Sequence, residues 1–383
     1  MDDVLSQGGD REPSRWPRRL AAIAVLVVLA VVIVWHLPRG SAAPAHGPAI
    51  AVTDGIIGPA LPWAASLRLP VTGEQPAWFW PATGRVEPIS GLPRDRSGYL
   101  FIRVGGGWAV QAGSAMQLGC GGCAGRRLPV YFLADRAQSV TEVGTADKVA
   151  PAATAGALWL TSYPPGADLS TAAGTAQEVS VAGAPLGPQV RLPAGYVIDQ
   201  ATGRGLLLAP VIQRRGARAY MLWDLATAQV SRTFEGVIAA SASEIAWTPG
   251  CAPACRVHVL DLATGRDTVV ALPRGSSVAN GAFSPDGSFL ALQMSFGSGG
   301  DGGALAMQLE VASIASSRLT VVPGTWASSD ALDGFGWPAD GDSLVAELSF
   351  TTKVQVASWH PGADRLAVAV ISPGQNPTSL IVG

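Results

Sequence analysis

The chain has 383 residues, a formal net charge of −2 and only 14% charged residues, so no basic field directs it to nucleic acid. Hydrophobic content of 48% is ample for a core, while 46 Gly and 29 Pro argue for many turns and short strands. Strong helix formers are scarce after residue 40, which argues against a helical bundle.

The first predicted element is a membrane segment. LAAIAVLVVLAVVIVW, residues 20–35, is uncharged, and His36 and Leu37 extend it. Eighteen residues at the helical rise cover roughly 27 Å, close to the hydrocarbon thickness of a bilayer. Arg15, Arg18 and Arg19 precede it, so residues 1–19 are expected in the cytoplasm and the bulk of the chain outside. The competing reading is a cleaved signal peptide, with Ser41-Ala42-Ala43 as small residues for cleavage. The long apolar run and long leader favour a retained single-pass anchor over residues 20–37 of a cell membrane. Residues 38–48, PRGSAAPAHGP, read as a linker, and residues 49–383 as an extracytoplasmic domain.

That domain repeats. VANGAFSPDGSFLALQ (278–293) and LDGFGWPADGDSLVAEL (332–348) share an aromatic, a proline, an Asp-Gly turn and an apolar strand. WFWPATGRVEPISGLP (78–93), YMLWDLATAQVSRTF (220–234), VHVLDLATGRDTVVALP (257–273) and VQVASWHPGADRLAVAV (354–370) each read as strand, turn, strand. The ATGR at 201–204 lies between YVID and GLLLAP and reads as an inner-hairpin turn instead. Joined, these pieces predict four-strand units at 97–144, 148–193, 196–234, 236–272, 278–323 and 331–371. Four short antiparallel strands per unit of this length is the pattern of a β-propeller blade. AIAVTD (49–54), AWFW (77–80), RVEPIS (85–90) and SLIVG (379–383) are expected to build a further blade from both chain ends. Such closure leaves no open ring edge. The expected fold is therefore all-β, a β-propeller of seven blades, with six or eight as alternatives.

FSPDGSFLALQ and the DLATG turn resemble TolB-like (WD40-like, PD40) propeller repeats. The resemblance covers most of residues 77–371 and is strongest between 219 and 348. Trp223-Asp224 is similar to the WD dipeptide, but the full Gly-His…Trp-Asp pattern is missing. The resemblance implies a fold and carries no catalytic residue with it.

Four cysteines follow the membrane segment: Cys120, Cys123, Cys251 and Cys255. An even number outside the cytoplasm suggests disulfides. Each pair falls between the second and third strands of its predicted blade, three blades apart, which works against one shared zinc site. A redox pair needs a helix N-terminus to activate a thiol, and AGRRLPVYFLA after Cys123 reads as loop then strand. Two local disulfides, 251–255 and 120–123, are the expectation.

No HExxH or GxSxG motif occurs, and no motif implies a cofactor. His36 and His46 precede the domain, while His258 and His360 fall in or beside strands. Asp330, Asp333, Asp340 and Asp342 cluster in two loops, where turn chemistry competes with calcium ligation. GSGGDGG (297–303) lacks the Lys-Ser/Thr ending of a phosphate loop. Most of the twelve tryptophans are expected to pack between blades, with Trp326 as a candidate exposed contact.

The expected function is a membrane-tethered binding or scaffolding module with no catalytic, cofactor or metal site. Its partner is a protein or a cell-envelope ligand, contacted through propeller loops. The alternative is an extracytoplasmic hydrolase or lyase with an acidic site in the channel, which requires several channel-facing carboxylates. A third reading is a sensor that signals through the helix to a cytoplasmic partner.

Overall fold

A computed structural model describes residues 60–72, 75–93, 98–113, 127–211, 219–250, 255–296, 306–324, 327–328, 332–338, 341–350, 353–371 and 379–380. All belong to the unit Val52–Gly383. The predicted membrane segment, residues 20–37, lies outside the described residues. No helix among those described is long and apolar enough to cross a membrane.

The described strands form seven antiparallel sheets of at least four strands each, the seven blades of a β-propeller. In chain order, blade 2 is Tyr99–Val104, Gly107–Ala112, Leu128–Ala134 and Thr141–Ala146. Blade 3 is Lys148–Pro151, Ala157–Ser162, Thr175–Ser180 and Val190–Arg191. Blade 4 is Tyr196–Thr202, Gly205–Pro210, Tyr220–Asp224 and Gln229–Phe234. Blade 5 is Val237–Ala240, Glu244–Trp247, Arg256–Asp261 and Asp267–Ala271. Blade 6 is Ser276–Phe283, Phe289–Phe296, Ala306–Ser313 and Arg318–Val321. Blade 7 is Leu332–Gly336, Leu344–Phe350, Lys353–Trp359 and Leu366–Ile371.

Blade 1 is composite. Ser379–Leu380 pairs with Leu69–Thr72, followed by Ala77–Trp80 and Arg85–Pro88. AWFW, RVEP and the C-terminal segment take the expected places. The remaining strand is LPVT, and not the expected AIAVTD, which lies outside the described residues. Two residues, Ala60–Leu61, instead add in parallel to the outer edge of blade 7. A second short addition, Ala327–Ser328, pairs with the third strand of blade 6.

Strands buried on both faces explain the continuous apolar runs. In GLLLAP, Leu206 and Leu208 pack toward blade 3, while Leu207 packs toward blade 5. The period of two sends alternate side chains to opposite seams. Seven apolar clusters result, one at each seam of the ring. One of them sets Leu69, Val71, Ala77 and Phe79 of blade 1 against Val345, Val356 and Ile371 of blade 7, which closes the circle. The tryptophans behave largely as expected: Trp78, Trp108, Trp159, Trp247, Trp337 and Trp359 are all buried.

The repeated D-L-A-T turn has a local cause. Asp224 Oδ1 accepts the amides of Ala226 and Thr227, and Asp261 Oδ1 accepts those of Ala263 and Thr264. This Asx arrangement fixes the turn between third and fourth strands. The chain then needs a left-handed residue four positions after the first. Gly265 supplies it in blade 5, and Gly84 in blade 1, whereas Ala228 holds the same place in blade 4 at φ 52°. ATGR at 201–204 is the inner hairpin turn, as expected: Thr202 ends one strand and Gly205 begins the next.

Candidate functional site

The first strands of blades 2, 3 and 4 lie successively against one another, as do those of blades 5, 6 and 7. Where they turn into second strands, six blades surround an opening of about 540 Å³. Its wall is mostly small: Gly105 and Gly106 from blade 2, Ala240 from blade 5, Gly281 and Ala282 from blade 6. Trp337 of blade 7 and Phe283 add aromatic surface. Trp337 is anchored by its Nε1 donating to the Ala282 carbonyl at 3.0 Å and by stacking on Phe289.

The polar groups of this wall are largely engaged. Arg103 is held in a two-pronged ion pair with Asp135, with Nη2 to Oδ2 at 2.7 Å. Ser241 Oγ accepts the Ser243 and Glu244 amides, and Ser284 Oγ donates to Asp286 Oδ1 at 2.6 Å. Gln200 Nε2 donates to the Ala201 carbonyl. No carboxylate or imidazole is among the described residues lining the opening.

The innermost strands carry a repeated irregularity. Register shifts fall between Ile198 and Gln200, Val237 and Ala239, Val278 and Asn280, and Leu332 and Gly334. These bulges place Asp199 and Asp333 at equivalent positions of blades 4 and 7. Asp199 is open to water by area yet hemmed in by the ring, and that desolvation pushes its carboxyl up to about 6.

A second concavity of about 470 Å³ lies between blades 2 and 3, on the opposite face. Arg127, Thr145, Ser162, Thr175 and Gln177 give it a polar lining.

Other residues singled out in the sequence are distributed around the ring. Cys255 is buried beside Val257 and Leu272 at the seam of blades 5 and 6 and is not a free thiol. Cys120, Cys123 and Cys251 lie outside the described residues, as do Asp330, Asp340, Trp326 and residues 297–303. His258 stacks on Trp247 and sits 3.1 Å from Asp267, a packed strand position. His360 Nδ1 is 2.6 Å from the Asp342 carbonyl, a turn contact. Among the described residues no group of three or more His, Cys, Asp or Glu is arranged to hold a metal ion.

Sequence reading missed one group that the structure makes prominent. Glu244 is 8% exposed, and its Oε2 has no hydrogen-bond partner among the described residues. Burial first, then Asp261 and Asp286, push its carboxyl up to about 7. The only sequence signal is an acid at the head of an apolar strand, which also describes many exposed glutamates.

No family model matches the sequence, and no curated protein matches it either. Solved structures do match in shape. An oligogalacturonate lyase from Vibrio parahaemolyticus aligns with TM-score 0.54 and 9% identity, over 83% of this chain and 89% of that one. A prolyl endopeptidase aligns with TM-score 0.52 and 13% identity, over 84% of this chain and 50% of that one. TolB from Acinetobacter baumannii aligns with TM-score 0.40 and 13% identity, over 70% of this chain and 66% of that one. The chain thus spans half of the endopeptidase and 66% of TolB. At such identities the likeness is one of fold, and the fold it supports is the seven-bladed propeller.

Proposed function

We propose that this chain is a membrane-tethered extracytoplasmic β-propeller that acts as a non-catalytic binding module for a protein or cell-envelope ligand. The observation that carries the reading is the wall of the ring opening. It offers small and aromatic surface from five blades and Gln200 from blade 4, its cation is neutralised by Asp135, and its hydroxyls serve their own turns. Such a wall suits shape recognition of an inserted segment. Acid-base work needs groups free to move a proton to substrate. The tether and orientation follow from residues 20–37 and from Arg15, Arg18 and Arg19.

The reading is tested by placing a photo-cross-linker at Ser243, exposed on the rim, in intact cells. A discrete adduct is expected from that position and none from Val230, exposed on the outer edge. Equal labelling from both, or none from either, would sink the proposal. The hydrolase or lyase alternative rests on Asp199, on the first strand of blade 4, with its carboxyl raised by burial to about 6. Turnover of a peptide or pectic substrate by the purified chain, lost in Asp199→Asn, would establish that reading instead.

An exterior location also implies oxidised cysteines, with Cys251 joined to Cys255 and Cys120 to Cys123. The small 251–255 loop contributes about 2 kcal/mol at most. Alkylation of the native protein is expected to label no cysteine, and alkylation after reduction to label all four. Four labelled thiols without reduction would refute both the pairing and the compartment.

A further inference from the structure

Glu244 begins the second strand of blade 5, directly opposite Asp261 in the strand register. From blade 6 the Asp286–Gly287 turn closes over it. A Cβ built on Gly287 would stand 2.8 Å from Glu244 Oε2, so the turn packs directly against the carboxyl, and Gly287 itself is held at φ 70°. Among the described residues, none supplies a compensating charge to it. The first strand of blade 5, Val237–Ala240, carries no ionisable residue. Arg204 of blade 4 donates to the carbonyls of Leu262 and Ala263. Arg266 acts on Asp261, whose carboxyl is held low chiefly by its hydrogen bonds to Thr264. Asp286 is likewise held low by Ser284 and Ser288, so both neighbours stay ionised in the neutral range. A charge on Glu244 would therefore be buried, unpartnered and set between two carboxylates, which is costly.

The turn that covers Glu244 is part of the ring opening. Ser284, Pro285 and Gly287 all line it. The turn is tied by Gly287 N donating to the Ser284 carbonyl and Ser284 N donating to that of Phe289, both at 2.9 Å. Phe289 in turn stacks on Trp337, across the seam in blade 7.

We infer that Glu244 is a proton-operated latch on the rim of the ring opening. Its neutral carboxyl lets the Asp286–Gly287 turn seat against blade 5, and its ionised carboxylate drives that turn away. Proton release requires no ligand, so the latch stands or fails independently of the binding reading.

The sign of the effect follows from linkage. The folded carboxyl titrates near 7 and the unfolded one near 4.5. Stability from this group is fully present below the lower value and is lost as pH rises through the higher one. In the full-length chain, the carboxyl ¹³C resonance of Glu244 is expected to titrate near pH 7, and a midpoint near 4.5 overturns the latch. Amide exchange gives the second readout. After correction for base catalysis, protection of Gly287, Ser288 and Phe289 is expected to fall about tenfold between pH 6 and 8. In Glu244→Gln that fall is expected to vanish. An equal fall in the variant, or none in the wild type, overturns the proposal.

Discussion

Replacing Trp78 with alanine is expected to cost about 4 to 5 kcal/mol of unfolding free energy, read from a urea titration. Trp78 is 1% exposed and sits at the seam of blades 1 and 2, against Ile89, Tyr99, Phe101, Trp108 and Leu133. Its Nε1 donates to the Ala137 carbonyl at 2.8 Å, and the Arg68 guanidinium lies 4.3 Å over its ring. Truncation removes one of the two buried tryptophans of the seam and leaves a cavity. It also removes the donor of a half-buried carbonyl, at about 1 kcal/mol, and a cation–π contact of roughly 0.5 to 1 kcal/mol. Trp78→Phe separates these contributions. It keeps most of the apolar bulk and loses the N–H, so about 1 to 2 kcal/mol is expected. A Trp78→Ala cost below about 2 kcal/mol would mean that the seams between blades are not the main source of stability.

Gly205→Val is expected to disrupt blade 4 outright, by more than about 4 kcal/mol, and to leave little folded protein in a thermal-melt or solubility assay. Gly205 has φ 133°, and a Cβ there would stand 2.1 Å from the Trp223 carbonyl oxygen. That oxygen is backbone of the neighbouring strand, so it yields only if the ladder between second and third strands opens. Valine adds a β-branched side chain to a conformation that disfavours any side chain at all. Gly203, two residues earlier in the same turn, is the control. A Cβ there meets only the Ala242 carbonyl, at 3.6 Å, an ordinary contact. Gly203→Ala is expected to change stability by less than about 0.5 kcal/mol. Similar costs at the two positions would refute the steric argument.

Both sites show how unevenly the sequence discloses this fold. Gly205 sits in an ATGRG string that reads plainly as a turn, because Gly and Asp are punctuation whose meaning is local. The D-L-A-T turns were legible for the same reason, since Asp224 and Asp261 bond amides only two and three residues away. Blades 2 to 7 begin and end within a few residues of the units expected from these signals. LPVT escaped notice because its four residues, all buried, show no alternation, and one of them is a proline. One of its partners, Ser379–Leu380, comes from the far end of the chain, so no local pattern announces that pairing.

The functional surfaces were the least legible. The ring opening is walled by Gly, Ala and Ser, residue types that fill turns everywhere. Glu244 differs from an exposed glutamate only because Gly287 and Asp286, more than forty residues later, close over it. Asp199 reads as an ordinary strand-end acid until a bulge and the surrounding ring raise its carboxyl.

By itself the sequence determined the all-β class, the four-strand repeat and the turn chemistry. These rest on interactions within a blade, between residues near in the chain, where periodicity and turn residues speak directly. Only the tertiary structure decided how blade 1 joins the chain ends, how seven seams close a ring, and which acids lose their water. Those outcomes depend on what each strand meets across a seam or across the axis, and that neighbour is set by closure of the whole ring.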